Sequence, residues 1–177
     1  VVAIDDEAVV DLMRLFNEPA GKKFLVEQGL DSTFVDKLDL VGFSGIANLL
    51  SAIKFAKYYE LGENDIVLTV LTDSMELYES RRREVHEQKG NFTEVDAAAT
   101  FGRYLQGVAT DNLLELSYQD KKRIHNLKYY TWVEQQGKTY QEIQDQWYAP
   151  DYWRDIQDQA DAIDKLITEF NDLVGLI

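Results

Sequence analysis

The stretch "DIVLTVLTDS", residues 65–74, decides the fold class that the sequence predicts. Residues 66–71 are almost entirely apolar, a pattern typical of a central strand in a parallel sheet that helices cover. The run turns polar at Thr72, Asp73 and Ser74 without a glycine or proline. Ligands of open α/β sheets bind at the carboxyl ends of strands, so "TDS" is a candidate binding site. A turn in which Asp73 or Ser74 caps the next helix explains the same residues equally well.

A second candidate site is "VGFSGIANLL", residues 41–50, which reads as the start of a helix. Gly42 and Gly45 permit close backbone approach, and Ser44 can cap the helix. Free amides there can face an anion or the edge of a planar ligand. A glycine-rich helix cap that binds nothing is the alternative, and spacing alone favours it.

Composition excludes several classes of protein. The 177 residues are long enough for one ordinary domain. The 18 lysines and arginines are outnumbered by 32 aspartates and glutamates, which gives a formal charge of −14. Such a charge argues against nucleic acid as a partner. The absence of cysteine excludes a disulfide framework and suits a cytoplasmic protein. The longest uncharged stretch, residues 40–53, is shorter than the ~20 residues of a membrane span, so no membrane partner is expected.

Helical periodicity covers most of the remaining sequence. Asp5 to Glu7 form an acidic helix start, and the following apolar residues recur at helical spacing until Pro19, which should interrupt or restart the helix. Thr93 should begin another helix. Later helices are predicted over residues 119–136, 139–148 and 151–174, the second with capping-box spacing at Thr139. The last carries an apolar stripe of Ile156, Ile163, Ile167, Phe170 and Val174.

The predicted architecture is α/β, mostly helical with one or two parallel strands. Residues 1–4 are the second candidate strand. We expect an α/β catalytic part in residues 1–80, followed by a long, mainly helical extension in residues 81–177.

The order of the two candidate sites resembles a known group of enzymes. "GFSGIANLLSAIKFAK", a short acidic turn, "DIVLTVL" and "TDSMELY" follow one another as in the C-terminal half of the large domain of fold-type II pyridoxal-phosphate enzymes. Cysteine synthases have "G-I-S-S-G-A" and "P-[SD]-S-G-E-R-Y" at these places. The longer segments "RLFNEPAG" and "RIHNLKYYTWVEQQGKT" are similar to proteins described as pyridoxal-phosphate-dependent β-subunits, and the resemblance runs along the whole chain.

The resemblance implies a role for each candidate residue. Ser74 would place its hydroxyl at the pyridine nitrogen of pyridoxal 5'-phosphate, while Gly42, Ser44 and Gly45 would lie beside the cofactor ring and the substrate. Thr72 stands where the family has proline, and "MEL" stands where it has "GER", so the reaction outcome is left open.

The resemblance also implies residues that this sequence lacks. The Schiff-base lysine and the phosphate-binding loop of the family both precede the segment that matches Val1. We therefore expect the C-terminal portion of a longer pyridoxal-phosphate-dependent lyase or synthase, cysteine synthase-like, acting on an amino acid by β-elimination or β-replacement. The parent is expected to be a homodimer, and this portion alone to be inactive.

A second hypothesis belongs to another class of protein. The chain could be a mainly helical protein-interaction or oligomerisation module without a cofactor. No metal site is expected under either hypothesis, because His86 and His125 are the only histidines and neither has a second imidazole at ligand spacing.

Overall fold

The chain folds into two compact, helical units. The computed structural model describes residues 1–176, and its internal contacts define the units Val1–Glu115 and Leu116–Ile177. The predicted division after residue 80 referred to the parent enzyme and stays a prediction. Within the described residues there is no β-strand, so the predicted α/β class is wrong and the fold is mostly helical.

The predicted strand at residues 66–71 has no regular secondary structure. Ile66 and Leu68 are 92% and 90% exposed. A strand needs a neighbour that pairs its backbone N–H and C=O groups; here the Asn48 side-chain amide, 2.9 Å from the Val70 carbonyl, is the contact that holds the segment. The second candidate strand is reduced to one antiparallel bridge between Val2 and Leu113.

The first unit is built from six helices, joined by short turns and by one longer irregular segment, residues 59–74. Two of these turns are 3₁₀ helices, at Lys37–Leu40 and Met75–Tyr78, and a π-helical turn at Gly102–Gln106 follows the last helix. The helices are α1 (Asp6–Asn17), α2 (Pro19–Glu27), α3 (Ser32–Asp36), α4 (Phe43–Tyr58), α5 (Glu79–Lys89) and α6 (Glu94–Phe101).

Helix α1 forms the centre of this unit. It begins after Asp5, whose carboxylate accepts a hydrogen bond of 3.0 Å from the Glu7 amide, as the acidic start predicts. Leu12, Met13 and Leu15 are fully buried, and α1 packs against α2, α4 and α6. The helical spacing of its apolar residues is therefore confirmed as the pattern of a core helix.

Pro19 restarts the chain as α2, as predicted, and the two helices approach closely at Gly21. A Cβ atom at Gly21 would lie 2.7 Å from Cα of Leu15, closer than real Cβ atoms come to such a neighbour. Gly21 is buried. Its missing side chain is what allows α2 to lie against α1.

Helix α4 is only partly buried. Ile46 and Leu50 face the core, whereas Phe55 and Tyr58 are exposed. In the part of the chain that the structure describes, no single helix is long and apolar enough to cross a membrane. The segments Ser32–Leu40 and Phe43–Tyr58, bent by 117°, pass that test only as a pair, on length and composition.

Helix α5 is fixed to the core by its few inward groups. Val85 is buried, and the Lys89 amine lies 2.7 Å from a Glu7 carboxylate oxygen and 3.0 Å from an Asp11 oxygen on α1. The hydrogen bond to Glu7 is the main cause of the raised pKa of Lys89. The 3₁₀ turn before α5 packs against α5 and against the 3₁₀ helix Lys37–Leu40.

The second unit is organised around Ile143. It contains α7 (Tyr118–Asn126), a π-helical segment (Tyr129–Gln135), α8 (Tyr140–Tyr148), α9 (Tyr152–Gln157) and α10 (Ala160–Val174). The predicted cap is confirmed, since the Thr139 hydroxyl accepts from the Glu142 amide at 3.2 Å. The single helix predicted over residues 151–174 is instead divided into α9 and α10.

Two side chains of α7 contact α8. Ile143 is 0% exposed, and its carbonyl oxygen lies 2.9 Å from Nε2 of His125. The Lys122 amine lies 3.9 Å from the centre of the Tyr148 ring, within the range of a cation–π contact. The complete burial of its side chain makes Ile143 the anchor of α8.

Substituting Gly21→Ala should destabilise the first unit by about 2 kcal/mol, because the added methyl group would overlap the α1 backbone. The clash should exceed the ~1 kcal/mol that alanine gains over glycine inside a helix. Urea denaturation followed by circular dichroism measures the change. Gly102→Ala is the control, since Gly102 has helical dihedral angles and no atom within 4 Å of its Cβ position. Equal stabilities of the two variants would contradict the close approach.

Substituting Ile143→Ala should destabilise the second unit by about 2–4 kcal/mol, the usual cost of emptying a buried site. All three tryptophans lie after residue 115, so tryptophan fluorescence reports on this unit. Ile124→Ala is the control, because Ile124 on α7 is partly exposed. A fluorescence transition that Ile143→Ala leaves in place would show that Ile143 is not the anchor.

Candidate functional site

The structure brings the two predicted binding segments together. The Gly42 amide, at the start of α4, donates a hydrogen bond of 3.0 Å to the Asp73 carbonyl oxygen. Gly45 packs beside Leu71, since a Cβ atom on Gly45 would lie 3.3 Å from Leu71 Cδ2. "GFSG" and "TDS" therefore form one site, which we call the α4 junction.

Gly42 is needed in the α4 junction for space. Its φ of −75° suits any residue, but a Cβ atom there would lie 2.8 Å from Cγ of Asp73. Gly42 is also the residue that caps α4, so the prediction that Ser44 caps this helix is wrong. Because glycine has no side chain, the first-turn amides of α4 receive no side-chain cap.

The Asp73 carboxylate is the charged group of the α4 junction. The Tyr78 hydroxyl donates a hydrogen bond to it, and the Thr72 hydroxyl lies 3.5 Å away. This carboxylate raises the pKa of Tyr78, chiefly through the hydrogen bond. The Tyr78 ring also contacts Phe43 edge-on, with 4.8 Å between ring centres.

Tyr78 is the site residue that sequence reasoning missed. The 3₁₀ turn Met75–Tyr78 carries it back onto Asp73. Neither helical nor strand periodicity marks such a turn. The pairing of an aromatic donor with a carboxylate five residues earlier was the only available signal.

Ser74 lies at the start of that 3₁₀ turn and is half-buried. Its side chain does not cap the turn, and the next residue, Met75, is buried in the core. The capping interpretation of "TDS" therefore does not describe Ser74. Its hydroxyl is not committed to the helix and can bond another group.

A shallow groove of about 510 Å³ lies next to the α4 junction. Ser44, Phe43 and Tyr78 line it together with α1 residues that include Val9 and Val10. Gly42, Gly45 and Ser74 are not among its lining residues. The four predicted cofactor residues are thus close in the fold without sharing one cavity.

The donors at the α4 junction suit a heteroaromatic ring better than a phosphate. A neutral serine hydroxyl can donate to a pyridine nitrogen. The space beside Gly42 and Gly45 is filled by Asp73 and Leu71, so a ring would have to lie outside that contact. A phosphate group placed at the start of α4 would instead meet the negative charge of Asp73. The phosphate of the implied cofactor therefore needs residues other than these.

No lysine lines the groove within residues 1–176. The buried lysine of α4 is Lys54, whose amine lies 3.2 Å from the Ala3 carbonyl and 3.2 Å from an Asp111 oxygen. Ten residues of helix, about 15 Å, separate it from Ser44. Lys54 ties α4 to the neighbouring loops and does not reach the α4 junction.

The α4 junction is thus a polar site with the Ser74 hydroxyl and the Asp73 carboxylate, and the groove lies beside it. The chain matches no protein-family model, no curated protein and no solved structure. Among the described residues there is also no group of three or more metal-ligating side chains. The resemblance to pyridoxal-phosphate enzymes accordingly rests on the sequence segments that carry it.

Substituting Asp73→Asn should lower the pKa of Tyr78 toward its ordinary value of about 10. The carboxylate stabilises the protonated hydroxyl and repels the phenolate, whereas an amide carries no charge. In the native protein this hydrogen bond is present below the ordinary tyrosine pKa, and it is lost as the pH rises through the raised one. Titration of ring-labelled tyrosines by NMR, with Tyr78→Phe as the assignment control, measures the pKa.

Asp39→Asn is the matched control for this titration, because Asp39 is an exposed carboxylate on the first 3₁₀ helix. It should leave the Tyr78 resonance unchanged. If Asp73→Asn also left the Tyr78 titration unchanged, the carboxylate would not be the partner of the hydroxyl.

Proposed function

We propose that the α4 junction holds the pyridine ring of pyridoxal 5'-phosphate in a lyase or synthase that acts on an amino acid. The reaction class is β-elimination or β-replacement, as in cysteine synthases, and this chain supplies the C-terminal portion of the enzyme. The supporting observation is the contact between Gly42 and Asp73, which joins the two segments that carry the family resemblance.

Ser74 is the residue that recognises the ring nitrogen. A neutral hydroxyl partner leaves this nitrogen largely unprotonated, in contrast to a carboxylate partner, which would favour the protonated form. Bound pyridoxal phosphate supplies an electron sink for the substrate carbon. In this proposal Ser74 sets how strongly the ring withdraws electrons.

The other junction residues position the ring and the substrate. Gly42 and Gly45 let the backbone of α4 pack closely against "TDS" and so fix the position of Ser74 relative to the start of α4. Ser44 is exposed and lines the groove, which is the side available to an amino-acid substrate. Tyr78 holds Asp73 in place and so fixes the approach to Ser74.

The lysine and the phosphate-binding amides come from outside the α4 junction in this proposal. Within residues 1–176 no lysine lines the groove, so the chain alone is expected to be inactive. Borohydride reduction of the natural gene product, followed by mass spectrometry, tests the proposal directly. A pyridoxyl group on a lysine supports it. A product without that group would leave the resemblance as a sign of ancestry only.

Substituting Ser74→Ala in the natural gene product should change the absorbance of the bound cofactor and lower turnover by about three- to tenfold. The loss corresponds to one hydrogen bond to the ring. Absorbance spectra and steady-state rates measure it. Ser80→Ala is the matched control, because Ser80 is exposed on α5 and should change neither property. Equal spectra and rates for both variants would remove Ser74 from the site.

A further inference from the structure

A cavity of about 270 Å³ lies inside the first unit, beside Lys54 and about 15 Å along α4 from Ser44. Its walls come from residues 3–8, from α4, from the π-helical turn Gly102–Gln106 and from the loop at residues 107–112. We call it the Lys54 cavity. The residues predicted to bind the cofactor do not line it. Its volume lies near the lower end for ligand pockets, so it suits a small molecule.

The interior of the Lys54 cavity is apolar. Ala8, Leu50 and Val108 line it, and all three are buried. Ile4 also lines it and packs against the same core. An aliphatic group placed against these side chains leaves water for an apolar surface, which favours binding.

Lys54 gives the cavity a buried positive charge. The residue is 9% exposed, and its ammonium group has three N–H donors. It donates a hydrogen bond of 3.2 Å to the Ala3 carbonyl and forms an ion pair of 3.2 Å with an Asp111 oxygen. At least one donor is therefore left without a protein partner among the residues that the structure describes.

Arg103 adds a second positive charge to the wall of the cavity. Its guanidinium lies 4.9 Å from the centre of the Tyr104 ring, and no carboxylate of residues 1–176 pairs with it. Both residues belong to the π-helical turn, and such turns occur frequently at functional sites. An arginine without an acidic partner is notable in a chain with 32 aspartates and glutamates.

Two carboxylates also line the cavity, but each already has a partner. Asp111 pairs with Lys54. Asp5 accepts the Glu7 amide at the start of α1, where the helix dipole offsets its charge. The charge without a counterpart is that of Arg103, so the cavity is suited to one negative charge.

We propose that the Lys54 cavity binds a small aliphatic carboxylate. The carboxylate accepts hydrogen bonds from the Arg103 guanidinium and from the remaining donor of Lys54, while the aliphatic body occupies the apolar interior. A plain carboxylic acid and an aliphatic amino acid share this chemistry. In the amino acid, the ammonium group meets Asp5. This site does not rest on the proposed function, because the α4 junction takes no part in it.

Titration of the full chain with 3-methylbutanoate, followed by NMR of the alanine methyl groups, tests the site. The Ala8 methyl should shift to saturation because Ala8 lines the cavity, whereas the buried Ala97, which does not line it, should not shift. The uncharged 3-methylbutan-1-ol has the same aliphatic body and should bind about tenfold more weakly or worse. No saturable shift of Ala8, or equal binding of the alcohol, would overturn the proposal.

Substituting Arg103→Gln should raise the dissociation constant of 3-methylbutanoate about tenfold or more, because it removes the cation that has no acidic partner. Arg83→Gln is the matched control, since Arg83 is an exposed arginine on α5 that does not line the cavity. It should leave the constant unchanged. Equal constants for Arg103→Gln and the native chain would exclude Arg103 from the site and contradict the proposal.

L-valine distinguishes the two sources of the carboxylate, because it is 3-methylbutanoate with an added α-ammonium group. Tighter binding of L-valine supports the site with an amino acid as its ligand, and Asp5→Asn should then remove the preference while keeping the cap of α1. Weaker binding of L-valine supports the site with a plain carboxylic acid as its ligand. Ser74→Ala should change neither constant, which separates this site from the α4 junction.

Discussion

The burial of α1 is the constraint on which the first unit depends. Helices α2, α4 and α6 pack around α1 and remove its apolar side chains from water. Each fully buried leucine contributes about 1.5–3 kcal/mol to the stability of the fold. Gly21 lets α2 approach without a clash. Because α4 packs against α1, the position of its first turn is set. The Gly42 amide at the start of α4 then meets the Asp73 carbonyl.

The α4 junction shows how a polar site is made from backbone contacts. The Gly42 amide donates a hydrogen bond to the Asp73 carbonyl, and the missing side chain of Gly42 leaves room for Asp73. The Asp73 carboxylate in turn accepts a hydrogen bond from the Tyr78 hydroxyl. Ser74 is left with a hydroxyl that the fold does not use for capping. In the proposed function this hydroxyl is the group that meets the ring nitrogen, which makes Ser74 central to that proposal.

The acidic charge and the exposed apolar surface of the chain act against each other. A formal charge of −14 keeps copies apart at long range, but salt screens that repulsion beyond roughly 8–10 Å. The gain from covering apolar side chains acts only at contact.

The sequence by itself determined the local helical structure. The acidic start of α1, the restart at Pro19 and the caps at Thr93 and Thr139 depend on neighbouring residues only, and the structure confirms them. Only the tertiary structure decided that residues 66–71 do not form a strand, because a strand exists only where another strand pairs with it. It likewise decided that Tyr78 reaches Asp73, since a contact across a turn has no period in the sequence.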